Sequence, residues 1–136
     1  MTMLTENDVV KIVCDEFRKR KYSIEQNLST SQRGIDVIAT SNSGRRYFVE
    51  AKGATSSKKT SSRYGKEFNL SQVKSHVGVA LVAALKVKND HPNDESIIAL
   101  PNNNSHRELI KSMRDPILHS GIKVWFVDVN GIDEFV

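Results

Sequence analysis

The sequence predicts a mixed α/β fold, in which one sheet is flanked by helices. Three observations favour this class: apolar residues at helical spacing near the start, short runs of β-branched and aromatic residues after it, and turn-forming residues between the runs. A length of 136 residues suits one domain, so residues 1–136 are expected to form a single unit.

The first helix is predicted over Thr5 to Tyr22, with Thr5 as its N-cap. Its apolar positions recur at helical spacing: Val9, Ile12, Val13 and Phe17. Cys14 lies in the same pattern, which predicts a buried core thiol. As the chain has one cysteine, an internal disulfide and a multi-cysteine zinc site are excluded.

Three strands are predicted after this helix: Ser23 to Leu28, Ile35 to Thr40, and Arg46 to Lys52. The segment Ser41-Asn42-Ser43-Gly44 has turn chemistry of hairpin length, so the last two strands are expected to pair. Gly53 to Lys66 has almost no apolar residues and is expected to be a surface loop.

The second half is predicted to continue the helix and strand pattern. A helix capped by Asn69 or Ser71 begins near Gln72, and Gly78 is expected to end it. Val79 to Val87 suits either a helix or a strand; its apolar continuity and the turn after it favour a strand. The later predictions are a strand over Glu95 to Leu100, a helix capped by Asn104 or Ser105 through Met113, and a buried strand over Ile122 to Val129.

The overall charge of the chain indicates what kind of partner it binds. The formal net charge is +4 and the sequence pI is about 9.3, which favours a polyanion such as DNA. No stretch has the roughly 18 apolar residues that span a bilayer, and Met1 to Val13 lacks the layout of a signal peptide. We therefore expect a cytoplasmic protein with no membrane partner.

The histidines give no sign of a zinc site. Their spacing does not match that of zinc ligands, so all four are expected to lie on the surface: His76, His91, His106 and His119. A phosphate-binding loop of the NTPase type is also missing from the sequence.

The most informative residues are Asp36, Glu50 and Lys52. Side chains alternate along a strand, so Glu50 and Lys52 share one side. If the turn centres on Ser43, Asp36 pairs with Glu50, and their Cβ atoms lie about 5 Å apart. Two carboxylates at that distance repel, and a divalent cation between them removes the penalty. The alternative is that Lys52 merely neutralises Glu50 on a solvent-facing sheet.

Gly34-Ile35-Asp36, a spacer and then Glu50-Ala51-Lys52-Gly53 resemble the PD-(D/E)XK signature of restriction-endonuclease-like nucleases. Ile35 replaces the proline of the name. The resemblance covers roughly residues 5 to 90 and implies a restriction-endonuclease-like αβββαβ core. It implies that Asp36, Glu50 and the Ala51 carbonyl bind Mg²⁺, with Mn²⁺ as a substitute, and that Lys52 is catalytic.

Two further residues follow from the resemblance. Many such nucleases carry a glutamate on the first helix, which makes Glu6 the candidate third carboxylate and Glu16 the alternative. Some place a glutamine on the helix after the catalytic strand, and Gln72 matches by position. The alternative for all three is an ordinary polar residue on an exposed helix face.

Several basic residues flank the predicted site. Arg33 precedes Asp36, and four more lie in the loop after the active strand: Lys58, Lys59, Arg63 and Lys66. We expect these side chains to contact DNA phosphates.

The predicted function is therefore that of a metal-dependent endonuclease acting on DNA. The alternatives are a non-catalytic nucleic-acid-binding module and the nuclease subunit of a larger restriction or repair complex. The signature does not specify the form of the DNA, and cutting both strands would call for a homodimer.

Overall fold

A computed structural model describes residues 3–27, 34–55 and 67–136. The elements follow in this order: α1 (Glu6–Lys19), β1 (Ser23–Asn27), β2 (Val37–Thr40), β3 (Arg46–Ala51), α2 (Leu70–Asp90), β4 (Glu95–Pro101), α3 (Asn104–Lys111), α4 (Arg114–Ser120), β5 (Lys123–Asp128) and β6 (Gly131–Glu134).

The six strands form one mixed sheet in the order β1-β2-β3-β4-β5-β6. β1, β2 and β3 are antiparallel neighbours, β3, β4 and β5 are parallel, and β6 is antiparallel to β5. The predicted mixed α/β class is confirmed, and the first six elements have the order αβββαβ. Because β3, β4 and β5 are parallel, their carboxyl ends meet at one edge of the sheet.

Each face of the sheet has its own apolar core. On one face α1 packs on the sheet, with its Val9, Val13 and Phe17 buried. On the other face α2 and α3 cover the sheet. Val49 and Ala51 belong to the α1 core, whereas Phe48 and Glu50 line a small cavity against α2. The predicted alternation along β3 is therefore confirmed, and Glu50 points to the α2 side.

The first helix begins as the sequence predicts. The Thr5 hydroxyl accepts a hydrogen bond from the Asp8 backbone N–H, and the Asp8 carboxylate accepts one from the Thr5 N–H. This reciprocal cap satisfies two of the free backbone donors at the start of the helix. Cys14 is buried in the α1 core, as expected.

The prediction of a strand over Val79 to Val87 is wrong, because these residues belong to α2, and Gly78 does not end that helix. The buried positions of α2 have helical spacing: Val73, Val77, Ala80 and Ala84. Its outer face is apolar as well, with Val79, Val82 and Leu85 at least half exposed. With apolar residues on both faces, the helical period does not stand out in the sequence.

The last part of the chain differs from the prediction in two ways. The helix after β4 is capped by the side chain of Asn103 rather than by Asn104 or Ser105, and it ends at Lys111 rather than at Met113. A second short helix, α4, then ends at Ser120, and the Gly121 that follows it has a left-handed φ of 81°. The predicted strand is β5, and a short strand, β6, returns beside it.

Within the described ranges, no helix has both the length and the apolar character that crossing a bilayer requires.

Candidate active site

The hairpin between β2 and β3 has the register that the sequence predicts. The Ser41 N–H donates to the Arg45 carbonyl oxygen at 2.8 Å, which closes the turn around Ser43. The partners across the hairpin include Val37 with Val49. Asp36 is the residue just before Val37, so the same register brings it across from Glu50.

Asp36 is fixed by a hydrogen bond to the neighbouring strand. Its side chain is buried, and its Oδ2 accepts from the Ala51 N–H at 2.8 Å. Burial raises the pKa of this carboxyl; the hydrogen bond from Ala51 and the nearby Lys52 cation act in the opposite direction. The carboxylate is thus held at the end of β3 without full compensation of its charge.

Glu50 and Lys52 form a loose ion pair beside it. The Lys52 Nζ lies 4.0 Å from the Glu50 Oε1, and each side chain is 17% exposed. Burial and the charge of Asp36 raise the pKa of Glu50 to about 7, although Lys52 acts to lower it. One lysine therefore does not balance the negative charge at this point of the sheet.

Glu6 is brought to the same place by the chain that follows β3. A Cβ atom at Gly53 would lie 2.4 Å from the Glu6 backbone nitrogen, and the Ala54 N–H donates to the Leu4 carbonyl at 2.7 Å. The start of α1 and the end of β3 are therefore in direct backbone contact. Burial and the charge of Asp36 raise the pKa of Glu6.

Of the two glutamates considered on α1, Glu6 is the one beside the pair. Glu16 forms an ion pair with Arg20 instead, with 2.7 Å between Oε2 and Nε. Ten residues along a helix correspond to about 15 Å, so Glu16 lies well away from the end of β3.

Gln72 has a structural role in the described contacts. Its Oε1 accepts from the Asn69 N–H at 2.9 Å, and the Asn69 Oδ1 accepts from the Gln72 N–H at 2.9 Å. The side chain thus completes a reciprocal cap at the start of α2. Its place in catalysis remains a prediction.

Two histidines on the helices that cover this face of the sheet are less exposed than the sequence predicts. Burial and the Lys52 cation lower the pKa of half-buried His76, which lies one helical turn after Gln72 on α2. His106 on α3 is 1% exposed, so the expectation of a surface residue is wrong for it. Because α3 packs on α2, burial and the charge of His76 lower the pKa of His106 to about 4.

The donors at the end of β3 fit a hard divalent cation. Asp36 and Glu50 are neighbouring carboxylates with raised pKa values, and the backbone carbonyl of Ala51 lies between Glu50 and Lys52 in the chain. Mg²⁺ takes oxygen ligands, uses one or two carboxylates and keeps several waters. In the described part of the chain, no three His, Cys, Asp or Glu side chains are grouped to hold a metal ion. The fit therefore rests on the two carboxylates, and Glu6 as a third ligand remains a prediction.

The predicted DNA contacts lie outside the described residues. They are Arg33, Lys58, Lys59, Arg63 and Lys66.

Comparison with known proteins supports the fold. The sequence matches no protein-family model and no curated protein. In structure, the chain is similar to an XisH family protein from Nostoc punctiforme, with a TM-score of 0.53 and 18% sequence identity over 94% of this chain and 95% of that one. At this identity the likeness concerns the fold and extends over nearly the whole of both chains.

Proposed function

We propose that this chain is a metal-dependent endonuclease of the PD-(D/E)XK type, which hydrolyses phosphodiester bonds in DNA. The observation that carries the proposal is the meeting of Asp36 and Glu50 across the hairpin, with Lys52 4.0 Å from Glu50. A buried acid beside a partly buried one, both with raised pKa values, at the edge where the carboxyl ends of parallel strands meet, is typical of a functional site.

Asp36, Glu50 and the Ala51 carbonyl are the groups that would hold the metal. When bound, the cation supplies Lewis-acid polarisation of the phosphodiester and lowers the pKa of a bound water. Asp36 is already oriented, because the Ala51 N–H holds its Oδ2. The other Asp36 oxygen would be the one that binds the metal.

Lys52 is the cation that would face the substrate. Its ammonium has three donors, and a phosphate that develops negative charge during the reaction would accept them. The backbone of Lys52 is fixed by its N–H, which donates to the Ala99 carbonyl of β4 at 3.0 Å. The side chain therefore leaves the sheet at a defined point beside Glu50.

DNA is proposed as the substrate because the net charge of the chain is +4. The negative charge of the three acids would repel a phosphate, and Mg²⁺ together with Lys52 would reverse the local sign. Phosphate contacts release counterions, so binding should weaken steeply with salt. Cutting of both strands would require two copies of the site, for which a homodimer is the simplest arrangement.

The test is cleavage of a panel of duplex, branched and single-stranded DNA with Mg²⁺ or Mn²⁺. We expect wild type to cut and Asp36→Asn, Glu50→Gln and Lys52→Ala each to lose at least about 100-fold in rate, the usual scale for such groups. Glu16→Gln, on α1 and away from the site, is the matched control. Binding of DNA by wild type without cutting of any member of the panel would favour a non-catalytic binding module instead.

A further inference from the structure

A groove opens between the starts of α2 and α3. Its volume is about 500 Å³, within the range of roughly 300–1,000 Å³ that small-ligand sites have. The floor of the groove is apolar and consists of Leu70, Val73 and Leu109. Val73 and Leu109 belong to the core on this face of the sheet, whereas Leu70 is 73% exposed. Among the large apolar residues that the structure describes, Leu70 is the most exposed.

The groove lies at the edge of the sheet that holds the proposed active site. α3 begins three residues after β4 ends, and the carboxyl ends of β3 and β4 meet at this edge. The Phe68 N–H donates to the Ala54 carbonyl at 2.9 Å, which ties the chain before α2 to the chain after Lys52. With about 3.8 Å between successive Cα atoms, this bond keeps the Cα atoms of Lys52 and Leu70 within roughly 20 Å of each other. Both helices also cover the face to which Glu50 points, so the groove and Glu50 share one side of the sheet.

The two walls of the groove carry different polar groups. Lys74 lies on the α2 wall and is exposed, so its ammonium can reach a phosphate. The α3 wall carries Asn104, Ser105 and Glu108. An amide, a hydroxyl and a carboxylate are groups that form hydrogen bonds with the edges of bases. An apolar floor between a cation and such a wall matches one nucleotide, which has a flat ring, a polar ring edge and a phosphate.

We propose that this groove holds an unpaired nucleotide of the DNA strand, with its base against Leu70 and its phosphate on Lys74. The proposal rests on the proposed function and names the form of DNA that the site takes. Bases inside a duplex are stacked on their neighbours, and drawing one out costs free energy, which is least where the base is already unpaired. The preferred substrate is therefore DNA with unpaired nucleotides near the cut, such as a branch, a frayed end or a single strand.

The apolar floor predicts recognition of DNA structure rather than of DNA sequence. Leucine is one of the side chains that DNA-bending proteins insert between bases. Every base has a flat face, so a side chain that packs on this face tolerates any sequence. The hydrogen-bonding groups of the α3 wall then hold the ring edge of the base in place.

The test compares Leu70→Ala and Lys74→Met with the control Leu85→Ala. Leu85 is 50% exposed on the same helix, 15 residues or roughly 22 Å from Leu70. Both leucine variants remove the same atoms from an exposed position. The probes are a fully paired duplex and the same duplex with a short unpaired overhang. Their affinities are measured by fluorescence anisotropy in EDTA over a series of salt concentrations, and the melting temperature and oligomeric state of each variant are recorded.

We expect wild type to bind the duplex with the overhang about tenfold more tightly than the fully paired duplex. Leu70→Ala should lose most of this preference at an unchanged melting temperature, whereas Leu85→Ala should keep it. Lys74→Met should lower the slope of log affinity against log salt by about 0.7 for the duplex with the overhang, because one phosphate contact is lost.

Equal affinity of wild type for the two DNA molecules, or equal losses in Leu70→Ala and Leu85→Ala, would overturn the proposal. A wild type that is a dimer and becomes a monomer in Leu70→Ala would assign the groove to a second copy of the chain and would overturn it as well. Because binding is measured without metal, the result does not depend on cleavage. A wild type that shows the preference but cuts no DNA would overturn the proposed function instead, and the two failures are thereby distinguished.

Discussion

Gly53 lies directly against the backbone of Glu6. A Cβ atom at position 53 would be 2.4 Å from the Glu6 nitrogen and 2.7 Å from the Thr5 carbonyl carbon. Both neighbours are backbone atoms, so no side-chain rotation could relieve the clash. The lack of a side chain at Gly53 is what lets the start of α1 reach the end of β3.

Gly53→Ala should therefore separate these two segments. We expect a loss of about 1–3 kcal/mol in the free energy of unfolding, the usual cost of an added methyl in a packed place. We also expect cleavage to fall by at least about tenfold, because Glu6 and Lys52 move relative to each other. Urea unfolding and the cleavage assay measure the two effects. Unchanged stability would show that the backbones are not in contact.

Gly78→Ala should have the opposite effect on stability. Gly78 lies inside α2, and a Cβ atom there meets nothing within 4 Å. Alanine favours a helix over glycine by up to about 1 kcal/mol, so the melting temperature should rise. Thermal unfolding by circular dichroism is the measurement. A fall in the melting temperature would contradict a continuous helix over this part of the chain.

Glu50→Gln should stabilise the metal-free protein at alkaline pH. Folding raises the pKa of Glu50 from 4.5 to about 7, so the folded state keeps a proton that the unfolded state releases. The free energy of unfolding therefore falls as the pH rises from about 4.5 to about 7, by roughly 3 kcal/mol in total. Urea unfolding in EDTA at pH 5 and pH 8 should show this loss in wild type and not in the variant. An equal pH dependence of the free energy of unfolding in wild type and in Glu50→Gln would refute this prediction.

Binding of Mg²⁺ should release a proton from Glu50. The metal requires the carboxylate, whereas a pKa of about 7 keeps part of this group protonated at neutral pH. The apparent affinity should therefore be about tenfold weaker at pH 6 than at pH 8. Calorimetry in buffers of different ionisation enthalpy measures the released proton, and Glu16→Gln is the control. Binding with no pH dependence would place the metal elsewhere.

His106 should make the fold sensitive to acid. Folding lowers its pKa from 6.5 to about 4, and its buried Nε2 has no hydrogen-bond partner among the residues that the structure describes. The unfolded state gains a proton first as the pH falls, so stability decreases from about pH 6.5 towards pH 4 by roughly 3 kcal/mol. His106→Leu should reduce this slope, and His119→Gln at the exposed site on α4 should not. The slope is measured by urea unfolding at pH 7 and pH 5.

The part of the site that could be predicted is the part built by local geometry. A tight turn fixes the register of the two strands beside it, and strand alternation then fixes which side chains share a face. Asp36, Glu50 and Lys52 follow from these two rules. The cap at Thr5 is equally local, because its partner Asp8 is three residues away.

The unpredicted features depend on packing between distant segments. His106 is buried because α3 lies on α2, and no short pattern in the sequence encodes that contact. The prediction of a strand over Val79 to Val87 is wrong because the outer face of α2 is apolar as well as the inner one. The sequence gives no reason for that exposed apolar face, and composition alone does not distinguish a helix with two apolar faces from a buried strand.

The closed turn around Ser43 makes the length of the hairpin matter more than its composition. Adding or removing a single residue between Thr40 and Arg46 would rotate one acid to the opposite face of the sheet, whereas exchanging one turn residue for another would leave both in place. Protein engineers could thus exchange the other residues of this turn if they keep their number, and Gly44 is the exception because its φ of 89° favours glycine.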